Sequence, residues 1–196
     1  AKLTIDEKVS SQIAKFPLEA KMFVDREDDK LHVTLEYHYG EHTIHPFQKE
    51  KPASSGPILI RDMEKEQRMM DVLEATPLQF NGKVLHIEGE EEIYDFLFRT
   101  VPQLEEIVEI FLTNAVRSLI LPDKAAPETN IDIDSTGNLL EVSFDMEGID
   151  EKEITNILRY AIEKKRFYRL PSGAFVSLEM EEFQAVQHIF QEFKPH

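Results

Sequence analysis

The chain has 196 residues, no cysteine and a formal net charge of −16. The missing cysteines exclude disulfides, thiolate metal sites and cysteine nucleophiles, and fit a reducing cytoplasm, the expected location. So acidic a chain should repel phosphate backbones as a whole, because nucleic-acid affinity comes largely from Lys and Arg, although local basic patches, or simply solubility or a basic protein partner, remain open.

Residues 1–16 read as a short amphipathic helix, with Val9, Ile13 and Phe16 on one face and Pro17 as its stop. Residues 21–24 read as a strand, 25–30 as a charged turn, and 31–39 as a strand with Leu31, Val33, Leu35, Tyr37 and Tyr39 on one face. Pro46, Pro52, Ser54, Ser55 and Gly56 mark residues 41–56 as a long exposed loop. A helix is expected over 62–74, then a hairpin of 78–80 with 84–87 through Asn81-Gly82. A helix starts at residue 90, is interrupted at Val101-Pro102, and continues as a second helix over 104–112. Residues 116–121 look β-like, 123–130 read as a linker, and 131–133 open another hairpin. No apolar run approaches about 18 residues, so no membrane span is expected, and no signal peptide is visible. The start at Ala1 rather than Met, and the end within a helix, lead us to expect a fragment or processed product.

Residues 138–179 form the most self-consistent stretch. Leu140, Val142, Phe144 and Met146 alternate with Glu141, Ser143, Asp145 and Glu147, a strand with one buried face. Gly148 breaks it. Asp150 then sits where an N-cap belongs, with Glu153 three residues on, a capping-box pattern. Ile154, Ile157, Leu158, Ala161 and Ile162 recur at helical spacing, and Lys164, Lys165 and Arg166 close the helix at the negative end of its dipole. A hairpin of 167–170 with 174–178 follows, turned by Pro171-Ser172-Gly173.

The runs FDMEGIDEKEI and KKRFYRLPSGAFVSLE in this stretch resemble the accessory domain found beside bacterial Swi/Snf-family helicase-like ATPases. The likeness is strongest over residues 139–178 and extends more weakly through 61–121, in RDMEKE and VLHIEGEEEIYDFLF. What it implies is a context: a multidomain, ATP-driven, nucleic-acid-associated motor, with ATP and Mg belonging to that parent motor.

The order of elements also repeats. LHVTLEYH from Leu31 lines up with LEVSFDME from Leu140, and VLHIEGEE from Val84 with FVSLEMEE from Phe175. The expected fold is α+β, antiparallel β-hairpins packed with helices; the repeated order reads either as two copies of a hairpin–helix–hairpin–helix unit or as a chance match of short amphipathic strings. The divisions expected are a first half over 1–122, a linker over 123–130 and a second half over 131–196 that stops short at its C-terminus.

No motor chemistry is legible. The only Gly-Lys, Gly82-Lys83-Val84, lacks the preceding glycine and the following hydroxyl of a phosphate loop. The acids of 150–153 read as helix caps, and those of 88–92 and 179–182 as solvated helix starts or a surface that mimics nucleic acid. His38, His42 and His45 could with Glu36 or Glu41 hold zinc, but a surface loop is the plainer reading. No catalytic, cofactor or metal residue is assigned. The densest basic run offers Lys164, Lys165, Arg166, Tyr168 and Arg169 as contacts for phosphate, a protein partner or the motor. The expected function is a non-catalytic module that regulates or positions the motor of the same parent protein, or recruits a protein partner. The alternative is a nucleic-acid-binding module using residues 164–169.

Overall fold

The structure, a computed structural model, describes residues 13–49, 58–82, 84–121, 127–133 and 140–192. It divides into two units, residues 1–116 and 117–196. The fold is α+β, as its alternating hairpin and helix patterns require.

In the first unit, strand β1 (Ile13–Lys15) pairs in parallel with β5 (Ile58–Ile60). The expected N-terminal helix therefore does not reach Phe16; its residues 1–12 lie outside the described residues. Two ten-residue strands, β2 (Leu18–Glu27) and β3 (Lys30–Tyr39), form the central hairpin. β2 is longer than the four residues expected. The turn is correspondingly tighter, Asp28-Asp29 alone, with Asp28 at φ 55°, a conformation that Asp tolerates better than most side chains. Leu31, Val33, Leu35, Tyr37 and Tyr39 all face the core, none more than 2% exposed. The register places Met22 opposite Leu35 and Val24 opposite Val33, so the two strands share one apolar face.

The sheet grows from this hairpin. β4 (His42–Ile44) pairs with the end of β3, so the segment read as loop begins with a strand; residues 50–57 of it lie outside the described residues. β7 (Leu85–Ile87) pairs with the start of β3 and with β6 (Gln79–Phe80), the hairpin expected through Asn81-Gly82. β8 (Glu109–Leu112) lies parallel to β2, which overturns the helix expected over 104–112. Alternating Glu109, Ile110, Phe111 and Leu112 suits a strand, and pairing there satisfies the open backbone edge of β2.

Helix α1 (Met63–Glu74) buries Glu66, Met69 and Leu73. The next helix runs through Pro102 instead of stopping. It passes from α2 (Glu90–Asp95) through a π segment, Phe96–Thr100, into α3 (Val101–Leu104). Proline lacks an N–H, and the wider π register accommodates the lost bond. Asn114–Arg117 is a helical turn, α4, rather than the β-like segment expected; of 116–121 only Ile120 bridges a strand residue, Phe175.

In the second unit β9 (Glu128–Ile133) pairs antiparallel with β10 (Leu140–Asp145). Glu128, Thr129 and Asn130, read from sequence as linker, belong to that strand because Asp145, Phe144 and Ser143 extend the ladder opposite them. Helix α5 (Glu151–Ile162), hairpin β11 (Phe167–Arg169) with β12 (Phe175–Ser177), and helix α6 (Glu181–Glu192) follow. Phe144, Met146, Ile154, Ile157, Ala161, Val176, Leu178, Phe183 and Val186 close into one core. Both units thus run hairpin, helix, hairpin, helix. They also differ: β7 joins the first hairpin of its unit, whereas β11 and β12 form a separate two-stranded sheet, and the first unit alone adds β1, β4, β5 and β8 among the described residues.

Candidate functional site

The end of β3 and the start of α1 build a polar cluster in the first unit. Arg61 and Asp62 precede the helix, and the Asp62 side chain caps it by accepting from the Lys65 N–H at 3.1 Å. One turn in, Glu66 stands at a core position, only 5% exposed. A buried carboxylate needs partners, and it has three bonds. The Tyr39 hydroxyl donates to Oε1 at 2.6 Å, Arg61 Nε donates to the same oxygen at 3.0 Å, and Arg61 Nη2 donates to Oε2 at 2.8 Å. The Asp62 N–H in turn donates to the Tyr39 hydroxyl at 2.8 Å. The phenol is thus both donor and acceptor, and it ties the helix start to the sheet.

Beside this network lies a pocket of about 430 Å³, bordered by Tyr37, His45, Pro46, Gln48 and Met63 as well as Arg61 and Glu66. The Tyr37 hydroxyl and His45 Nδ1 are screened from water and have no hydrogen-bond partner among the described residues. Burial first, then the hydrogen bond to Glu66, pushes the Tyr39 phenol up to about 12. Burial and the Glu66 charge also raise Tyr37. Both phenols stay protonated near neutrality, so they serve as hydrogen-bonding groups and not as bases.

A raised phenol pKa means that the fold favours the protonated form. The stability this contributes is complete below the ordinary phenol value of about 10 and is lost as pH rises towards about 12. The hydrogen bond to Glu153 likewise raises Tyr168, so we expect three of the five tyrosines to ionise later than a free phenol as the pH rises. Absorbance at the phenolate band against pH, read beside circular dichroism, checks this. The Tyr39→Phe variant should lose one of the three delayed groups.

The three histidines of the 38–45 segment are used separately. His38 Nε2 lies 2.9 Å from Glu36 Oε2, and its Nδ1 lies 3.3 Å from the Thr43 hydroxyl. His42 stands beside the Phe16 ring, and His45 borders the pocket. Among the described residues no group of three or more His, Asp or Glu is placed to hold a metal ion.

The basic-aromatic run of the second unit is brought together, but largely to hold the unit itself. Arg166 Nε donates to Glu179 Oε1 at 3.2 Å, and Arg169 Nε donates to the Gly173 carbonyl at 2.9 Å. The Arg169 guanidinium also lies 4.4 Å from the centre of the Phe175 ring, and the Lys165 ammonium 4.3 Å from that of Tyr160. The Tyr168 hydroxyl donates to Glu153 and accepts from Asn156 Nδ2. This corrects the capping box: Asp150 occupies the N-cap position but makes no side-chain cap bond, and the Glu153 carboxylate turns to Tyr168 instead. Lys164 and Lys165 remain exposed.

Lys164 carries a backbone duty as well. Its N–H donates to the Ala161 carbonyl and that of Lys165 to the Tyr160 carbonyl, the paired bonds that close a helix when the residue after the cap is left-handed. Lys164 has φ 59°, where glycine is at ease and lysine is strained. Lys164→Gly should therefore stabilise the unit by about 0.5–1 kcal/mol. Urea unfolding followed by circular dichroism reads the gain; a loss would show that the lysine side chain matters more than its backbone.

Sequence reasoning missed the Glu66 cluster. Its signal was present: Glu66 falls on the same helical stripe as Met69 and Leu73, and an acid on an apolar stripe asks for a buried partner. A family model described as bacterial SNF2 helicase associated matches residues 1–196. No curated protein and no solved structure matches the chain.

Proposed function

The chain belongs to the bacterial SNF2 helicase-associated family, and we propose that it works as a non-catalytic accessory module that regulates or positions the ATP-driven motor of its parent protein. The observation that carries this reading is the family match along the full 196 residues. The sequence adds that Gly82-Lys83-Val84 lacks the glycine run and hydroxyl of a phosphate-cradling loop. ATP and Mg would accordingly be held by the motor, and the module would act through protein contact.

The test is the ATPase rate of the parent protein with and without this segment, each with and without duplex DNA. A change in basal rate, or in its stimulation by DNA, supports regulation. Unchanged rates overturn it and leave recruitment of a protein partner, readable by co-purification. Direct nucleic-acid contact through the exposed Lys164 and Lys165 makes a separate forecast: salt-dependent DNA binding by the isolated chain, abolished by Lys164→Glu with Lys165→Glu.

A further inference from the structure

The pocket beside Glu66 holds more hydrogen-bonding capacity than the fold uses. The Tyr37 side chain is fully buried and its hydroxyl has no partner among the described residues, nor has His45 Nδ1 on the same pocket. A buried hydroxyl with no partner is a standing cost to the fold, and phenylalanine would fill the same space without it. A binding role accounts for the tyrosine.

The charges on the pocket narrow the class of ligand. Arg61 and Glu66 hold each other through two parallel bonds at 3.0 and 2.8 Å, one positive group neutralised by one negative group. An anion would gain Arg61 but meet Glu66 and the field of a chain with net charge −16. A cation would gain Glu66 but meet Arg61. An uncharged ligand leaves the pair intact. A hydroxyl and an imidazole nitrogen can each donate or accept, so the two together match a ligand that carries both a donor and an acceptor. Met63 and Met70 supply polarizable thioethers to the wall, which favour contact with a flat ring.

We propose that this pocket binds an uncharged, planar heteroaromatic ring that carries both a hydrogen-bond donor and an acceptor, the chemistry of a nucleobase. A volume of about 430 Å³ suits a small-molecule site. Because the Tyr37 hydroxyl and His45 Nδ1 are screened from water, entry requires a side chain at the rim to move.

Isothermal titration calorimetry of the full chain with adenosine, guanosine, cytidine and uridine tests the proposal. At least one nucleoside should bind, and its 5′-monophosphate should bind more weakly. Tyr37→Phe should weaken that binding roughly fivefold, the loss of one hydrogen bond, while leaving the melting temperature unchanged or higher. His45→Ala, on a half-buried loop position, should weaken it as well and serves if the first variant folds poorly. Failure of all four nucleosides to bind at millimolar concentration overturns the proposal. So does binding that is indifferent to both substitutions, or a monophosphate that binds more tightly than its nucleoside.

Discussion

Replacing Glu66 with alanine should lower the unfolding free energy of the first unit by about 3 kcal/mol. The carboxylate is 5% exposed and accepts three hydrogen bonds, two from Arg61 and one from Tyr39. Truncation removes all three at once. It leaves the Tyr39 hydroxyl, on a fully buried side chain, without its acceptor. Arg61 is less stranded, because its side chain is 34% exposed and can turn towards water. That partial exposure keeps the expected loss at the low end of what breaking a buried ion pair costs. Thermal or urea unfolding of the full chain, with the first unit followed by amide exchange in β2 and β3, measures it. A loss under about 1 kcal/mol would show that the cluster behaves as a surface pair.

A companion experiment separates the pair from its burial. Arg61→Met and Glu66→Met, made singly and together, form a double-mutant cycle. Each single change leaves one member of the pair without the other, whereas the double change removes both charges and puts thioether volume in their place. The double variant should therefore be more stable than the sum of the single losses predicts. Tyr39 remains as the residual cost, because its hydroxyl still accepts from the Asp62 N–H but no longer finds a carboxylate.

The parts of the fold legible in the sequence are those set by short-range pattern. The buried face of β3 follows from strict alternation through Leu31, Val33, Leu35, Tyr37 and Tyr39. The hairpin of β11 and β12 follows from two apolar runs around Pro171-Ser172-Gly173. What was missed depends on groups far apart in the chain. Residues 104–112 carry helix-compatible acids, and only the open edge of β2, some eighty residues earlier, selects a strand there. Glu153 fits a capping box locally, yet Tyr168 across the helix–hairpin contact claims its carboxylate. Within the basic run, Glu179 and the Phe175 ring engage Arg166 and Arg169 from inside the unit, while Lys164 and Lys165 stay exposed, so the DNA-binding test on those two lysines decides whether the run is an interface. The helical stripe of Glu66, Met69 and Leu73 marks Glu66 as a buried acid, but its partner Tyr39 lies on β3 across a segment whose sequence is loop-like, so no local pattern names that partner.

Phe183→Ala should cost the second unit about 3–5 kcal/mol, the largest single effect expected here. Phe183 is fully buried, and its ring centre lies 5.2 Å from that of Phe144. It thus joins helix α6 to strand β10, while Ile157 and Ala161 bring α5 into the same core. Removing the ring takes away its transfer energy and leaves a cavity that two helices and a strand can close only in part. Stability of about 0.05–0.15 kcal/mol per residue leaves a unit of this size little beyond that loss. We therefore expect the amides of α5, α6 and β10 to exchange freely, while those of β2 and β3 stay protected, because the first unit has its own core around Met22, Val33 and Leu35. Hydrogen exchange read by mass spectrometry distinguishes the outcomes. Selective loss over residues 117–196 means that each unit stands on its own core. Equal loss in both means that the chain unfolds as one cooperative body, and the division at residue 116 would then be geometric but not energetic. Phe183→Leu, which keeps most of the buried volume, should fall between this variant and the parent chain.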